Sequence, residues 1–267
     1  MKKKMKKMKL FQPFHLVTVS PWPILTSLSI MNFLVSIIYW MNFFEMMLII
    51  FSFLMVLLCM FQWWRDVIRE SLFQGFHTKI VVKGLKLGMF LFIISEIFFF
   101  ISVFWCYFHM FLSPSVEIGS LWPPKNIIMF NPYLIPLLNT VILLSSGVSI
   151  TWCHYSLVKG QKWESELSLF ITIILGIIFT FFQYMEYSDC TFTFSDSVYG
   201  SIFFMSTGFH GFHVLLGTMF LIVNFYRITL NNFSKIHHVG FEMAAWYWHF
   251  VDVVWLFLYL LVYFWSY

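Results

Sequence analysis

An all-α, polytopic membrane protein is the fold this sequence predicts, and three observations predict it. Hydrophobic residues make up 60% of the chain and charged ones 10%, whereas a soluble domain needs about 25% charged residues to cover its surface. The apolar residues gather into seven runs, each long enough to cross a bilayer as a helix, which takes about 20 residues. No run alternates with the period of two that a membrane barrel requires, so helices remain.

Pro, Gly, Asn or charge bounds each run. The first, residues 24–40, opens after Pro21 and Pro23. The second, residues 43–62, is stopped by Trp63, Trp64, Arg65 and Asp66. The third covers 87–112, and the fourth, 133–154, follows a segment rich in Pro, Asn and Gly taken together, "SPSVEIGSLWPPKNIIMFNP", that reads as a rigid loop outside. The fifth is 167–187, the sixth 198–226 and the seventh 244–264. No internal repeat is visible. The start, "MKKKMKKMKL", has no apolar h-region behind it and reads as a solvated, uncleaved tail.

Charge tests that count. Threading seven spans puts residues 1–23, 63–86, 155–166 and 227–243 on one face, and these segments hold 15 of the 16 Lys and Arg; only Lys125 falls opposite. A wrong count would scatter the positives, so the positive-inside rule places the N-terminus inside and the C-terminus outside. The four cysteines stand far apart with no C-x-x-C, which predicts neither a disulfide framework nor a zinc motif. Two alanines against 36 Phe and 16 Met is a bias that bilayer physics does not demand. An A/T-rich, organellar genome would produce it.

Ionisable groups at membrane depth are costly and ask for a reason. Glu96 lies about ten residues into the third run among Phe92, Ile93, Phe99 and Phe100. It must find a partner on another helix or stay protonated; proton handling and a neutral cross-helix hydrogen bond both remain open. Gln183 and Glu186 share a face of the fifth run. In the sixth, Ser206, His210, His213 and Gly217 fall within about 60° around the helix, while Gly208 and Gly211 mark another face open to a neighbouring backbone. In the seventh, Glu242, Trp246 and His249 form one stripe with Asp252 beside it, which predicts a face turned to protein. Near the first inner loop, "WWRDVIRESLFQGFHTK" mixes Trp63, Trp64, Arg65, Arg69 and His77 at an interface. That pattern fits an aromatic belt, or a clasp for a lipid phosphate.

Function classes divide on these residues. A di-metal membrane oxygenase needs several histidine boxes, and the chain has one H-x-x-H plus a separate His237–His238 pair. His210 and His213 supply only two ligands, where a closed metal site takes about four. No C-x-x-C-H marks a c-type haem, although two facing histidines could hold another haem. A proton-coupled transporter would use Glu96, Glu186 and Asp252, but no inverted repeat or paired broken helices accompany them. A non-catalytic subunit of a larger membrane complex needs only that polar groups lock helices and hold lipids.

The segments "PFHLVTVSPWPI", "QWWRDVIRE", "FQGFHT", "GMFLFIISEIFFF", "WPP", "NPYLIPLLNT", "LLSSGVSITWCHYSL", "YGSIFFMSTGFHGFHVLLGT" and "HHVGFEMAAWYWHFVDVVWLFLY" occur in order between about residues 13 and 265. Together they resemble the cytochrome c oxidase subunit III family. The resemblance implies a seven-helix core subunit of a haem–copper oxidase in the mitochondrial inner membrane, N-terminus in the matrix and C-terminus in the intermembrane space. It implies two units: residues 1–78, with the tail, the first two helices and the matrix loop, and residues 79–267, a five-helix bundle. A V-shaped cleft between them is expected to hold phospholipid. It implies that this chain binds no haem or metal itself; haem a, haem a3 and copper belong to the partner subunits I and II, and accessory subunits are further partners. Support of proton uptake, stability during turnover and a hydrophobic route for oxygen are the implied roles. Lipid contacts carry over to Trp64, Arg69, His77 and Arg227, and the intramembrane carboxylate to Glu96. The stripe of Glu242, Trp246, His249 and Asp252 is then a helix-packing device. No nucleic-acid partner is expected.

Overall fold

The computed structural model describes residues 12–72 and 74–267; the lysine-rich start lies outside the described residues. Seven helices are long and apolar enough to cross a membrane, and no strand occurs among the described residues. They are α1 (Trp22–Phe43), α2 (Met47–Leu72), α3 (Lys79–Leu112), α4 (Ile135–Lys159), α5 (Lys162–Ser188), α6 (Val198–Thr229) and α7 (Val239–Leu258), which continues as a π-helical turn, Tyr259–Phe264. Each predicted span is found. The ends differ.

The largest difference is at α2. Trp63, Trp64, Arg65 and Asp66 were expected to stop the helix, yet it runs on to Leu72, and α3 already starts at Lys79. Charged residues end an apolar run, but Arg, Glu and Leu are good helix formers. Leaving the hydrocarbon is therefore no reason to leave the helix. Most of the supposed loop is helical, and of the described residues only 74–78 lie between the two helices. At the other extreme, α4 and α5 are joined by Gly160 and Gln161 alone. Gly160 has φ 82°, and its N–H donates to the carbonyls of Ser156 and Leu157 at 2.9 and 3.0 Å. That left-handed residue closes α4 and turns the chain back at once.

Serine and threonine inside the helices rarely reach across. Ser95, Ser102, Ser145 and Ser206 each donate to a carbonyl three residues back, at 2.6 to 3.0 Å. With no water in hydrocarbon, a hydroxyl is satisfied by its own helix unless a neighbour offers better.

The chain forms two compact units, Met1–Leu85 and Lys86–Tyr267. In the first, α1 and α2 pack together through the Ser36–Ser52 hydroxyl pair at 2.6 Å and the Phe33–Phe53 rings. Indole N–H of Trp22 donates to Asp66 Oδ2 at 2.7 Å, His15 Nε2 lies 3.1 Å from Glu70 Oε2, and Thr78 Oγ1 donates to the carbonyl of Pro13. These contacts fasten the entry segment and the start of α1 to the end of α2.

The second unit has a real core. Trp248, on α7, is fully buried and donates its indole N–H to Ser146 Oγ on α4 at 2.8 Å. A Cβ on Gly176 of α5 would lie 2.8 Å from Trp248 Cη2, and one on Gly217 of α6 would lie 2.9 Å from Trp248 Cε3. One indole thus touches three helices through two missing side chains. The close approach expected at Gly208 and Gly211 is absent: only the Tyr187 hydroxyl comes within 4 Å of a Cβ at Gly208, and nothing does at Gly211. The loop after α3 is tied to the bundle by Trp122, whose ring meets Tyr107 and Tyr199 at 5.8 and 5.7 Å. All four cysteines are free. In the connector between α5 and α6, burial pushes the Cys190 thiol above its ordinary range.

Candidate functional site

The polar residues that the sequence singles out fall into four groups. The first centres on Glu96 of α3. His213 of α6 brings Nε2 to 3.0 Å from Glu96 Oε2, and its Nδ1 lies 2.6 Å from the carbonyl of Phe209. A carbonyl only accepts, so Nδ1 carries a hydrogen. The contact between Nε2 and Oε2 then needs one further proton, held by either partner. The pair is neutral overall in both arrangements, which suits a bilayer better than a lone charge. His213 was singled out for its place on α6; that it meets Glu96, 117 residues away, has no signal in the sequence.

His210 serves a different neighbour. Its Nε2 lies 3.2 Å from the carbonyl of Val251 on α7, and its ring packs between Phe179 and Trp255. The two rings of the H-x-x-H motif therefore have separate partners. Ser206, His210 and His213, which share one face of α6, are all buried. Gln183 and Glu186 of α5 are buried as well.

The stripe on α7 does not share one environment. Asp252 is buried and leans on α4, where a Cβ at Gly147 would stand 2.8 Å from Asp252 Oδ2. His249 Nδ1 is 3.9 Å from the same oxygen, but the His249 side chain is 42% exposed. Trp246 is 38% exposed. A helix turns about 100° per residue, so Asp252 sits about 60° from His249, and that rotation divides an inward carboxylate from a ring at the chain's surface.

Glu242 belongs to a third group, at the end of the second unit where α4 stops and α7 begins. Lys86 Nζ pairs with Glu242 Oε2, and His238 Nε2 is 3.4 Å from Glu242 Oε1. His154, near the end of α4, faces His238 with ring centroids 5.4 Å apart. Ligand atoms of His154, His238 and Glu242 lie within 4.8 Å of one another. This is the one set of three such residues, among the described residues, that could hold a metal ion.

The fourth group is the expected lipid contact. Trp64 is 58% exposed, and the Arg69 side chain 57%; both lie in the last turns of α2. Asp66 does not leave the arginines free. Arg65 Nη2 pairs with it at 3.0 Å, and Arg69 Nη1 approaches to 3.8 Å. His77 lies beside His15 with ring centroids 6.5 Å apart. Arg227 belongs to the second unit. Its guanidinium covers the Phe233 ring at 4.3 Å and rests against Gly240, where a Cβ would collide with it.

With this arrangement in view, comparison with known proteins is direct. The family model described as cytochrome c oxidase subunit III matches residues 12–267. Cytochrome c oxidase subunit 3 of Anopheles gambiae is 54% identical over 254 residues, 95% of this chain and 97% of the relative. That of Canis lupus is 55% identical over 253 residues, with the same shares. That of Rhipicephalus sanguineus is 53% identical over 256 residues, 96% of this chain and the whole of the relative.

Proposed function

Because the chain belongs to the cytochrome c oxidase subunit III family, we propose that it serves that oxidoreductase by supporting a catalytic neighbour. It is a multi-pass core subunit with no catalytic centre of its own. Its place is the mitochondrial inner membrane, against subunits I and II. Haem a, haem a3 and copper stay in those partners, and this chain carries no haem or redox metal.

The observation that carries this reading is the use made of the ionisable groups. Glu96 is tied to His213, and His210 to the backbone of α7. These contacts hold helices together and commit both rings of the H-x-x-H motif to protein partners. If that is their role, Glu96→Ala in the intact oxidase leaves the haem spectrum and the initial turnover rate unchanged, while activity decays faster during sustained turnover. A shifted haem spectrum would overturn the reading.

The same proposal assigns Trp64, Arg69, His77 and Arg227 to phosphate headgroups of structural phospholipid. The exposure of Trp64 and Arg69 at a helix end supports it, since a guanidinium and a phosphate pair by charge-assisted, often bidentate hydrogen bonds. Orientation follows the basic residues, with the N-terminus in the matrix and the C-terminus in the intermembrane space. Antibody should reach residues 1–10 in inside-out inner-membrane vesicles and not in intact mitoplasts. The reverse pattern would exclude this topology.

A further inference from the structure

The geometry points to a zinc-type metal site built from His154, His238 and Glu242, at the end of the second unit. The three come from the penultimate turn of α4, the residue before α7 and the first turn of α7. His238 and Glu242 are four residues apart and so share one face. The backbone N–H of Glu242 donates to the carbonyl of His238 at 3.1 Å, which fixes their relation.

The tautomer of His238 supplies the main argument. Its Nδ1 lies 3.1 Å from the carbonyl of Ser234. That oxygen only accepts, so Nδ1 bears the hydrogen, and in its neutral form the ring turns a bare lone pair at Nε2 toward Glu242 Oε1, 3.4 Å away. Two acceptors facing each other call for a cation between them. The distance suits a metal: the edge of a tetrahedron with metal–ligand bonds of about 2.05 Å is about 3.3 Å. A histidine that gives its other N–H to a backbone carbonyl is also the usual state of a metal-ligating histidine.

Glu242 is oriented by its neighbours as well. Lys86 holds Oε2 and leaves Oε1 for the histidines. His154 is exposed, so its ring can turn to complete three protein ligands, and its open side admits the ion and a water as the fourth. Two imidazoles and one carboxylate favour zinc over magnesium or calcium, which prefer oxygen donors. Lys86 adds a positive charge beside the ion and weakens binding, so the site should load and unload reversibly. The rival arrangement is a proton on His238 Nε2, bridging to Glu242 with no metal.

Zinc itself is the probe, applied to the purified intact oxidase at a series of buffered free Zn2+ concentrations. Anomalous scattering at the zinc edge should place one ion within bonding distance of Nε2 of His238, Oε1 of Glu242 and a ring nitrogen of His154. His154→Ala, at an exposed position, should weaken zinc binding at this site about tenfold to a hundredfold, and Lys86→Met should tighten it. Absence of an ion here while other sites on the complex saturate would overturn the proposal in favour of the proton bridge. So would unchanged occupancy in the His154→Ala variant.

Discussion

Helices α2 and α7 are both membrane spans, yet they are built on opposite principles. α2 is the more apolar, and 6% of its span is buried; α7 is less apolar, and 56% is buried. In water that order would be reversed, because apolar residues go inside. In a bilayer the lipid tails are as apolar as leucine, and hydrophobicity stops sorting side chains between core and surface. What buries α7 is shape and hydrogen bonding: Trp248 set against Gly176 and Gly217, its indole on Ser146, and Asp252 resting on Gly147. Little of this exists in α1 and α2, where one hydroxyl pair, one indole–carboxylate hydrogen bond and one pair of phenyl rings span the helix contact.

The sharpest way to break this contrast is to remove its central indole. Trp248→Ala should cost about 3–5 kcal/mol, the range for truncating a buried large aromatic side chain. The complex would lose this subunit at lower temperature or milder detergent. Leu54→Ala in α2, where the side chain is 48% exposed, should stay within about 0.5 kcal/mol. Equal losses from the two would contradict the division drawn here. Next in size, Glu96→Ala strands the Nε2 of His213 and should cost about 2 kcal/mol. Glu96→Gln, whose amide can donate to that nitrogen, should recover most of the loss; thermal unfolding followed by subunit retention measures both.

Smaller still is the effect in the first unit. Ser36→Ala removes the bridge to Ser52 and should cost about 0.6 kcal/mol, typical of a hydrogen bond between membrane helices. A value several times larger would mean that the two-helix unit depends on it far more than its geometry suggests. Last, Arg69→Ala should leave stability unchanged and lower the anionic phospholipid that co-purifies, read by lipid mass spectrometry. Unchanged lipid would reduce Arg69 to a determinant of topology.

Seven spans were legible because hydrocarbon thickness sets a length and basic residues mark one face; neither depends on tertiary contacts. Where α2 ends was not, since the end of an apolar run marks the membrane boundary and not the end of a helix. Glycines misled for a related reason. Gly208 and Gly211 look as suited to close packing as Gly217, and the choice was made by Trp248 on another helix. The cluster of His154, His238 and Glu242 left no motif, because its members lie on α4, in the connector between α6 and α7, and on α7. Glu96 announced itself by its surroundings, but its partner could be learned only from the packing of α3 on α6.

The two-residue turn at Gly160 and Gln161 also bears on how the chain enters its membrane. Between α4 and α5 there is no slack, and a first helix cannot settle across the bilayer while its successor waits outside. The pair must go in as a hairpin, in a single event. Lys159 and Lys162 flank the turn, and dragging two ammonium groups through hydrocarbon is expensive. On the topology proposed above the turn stays on the matrix side, and the far ends of α4 and α5 are what cross. Biogenesis of this segment thus has one decision to make where two separate helices would have two.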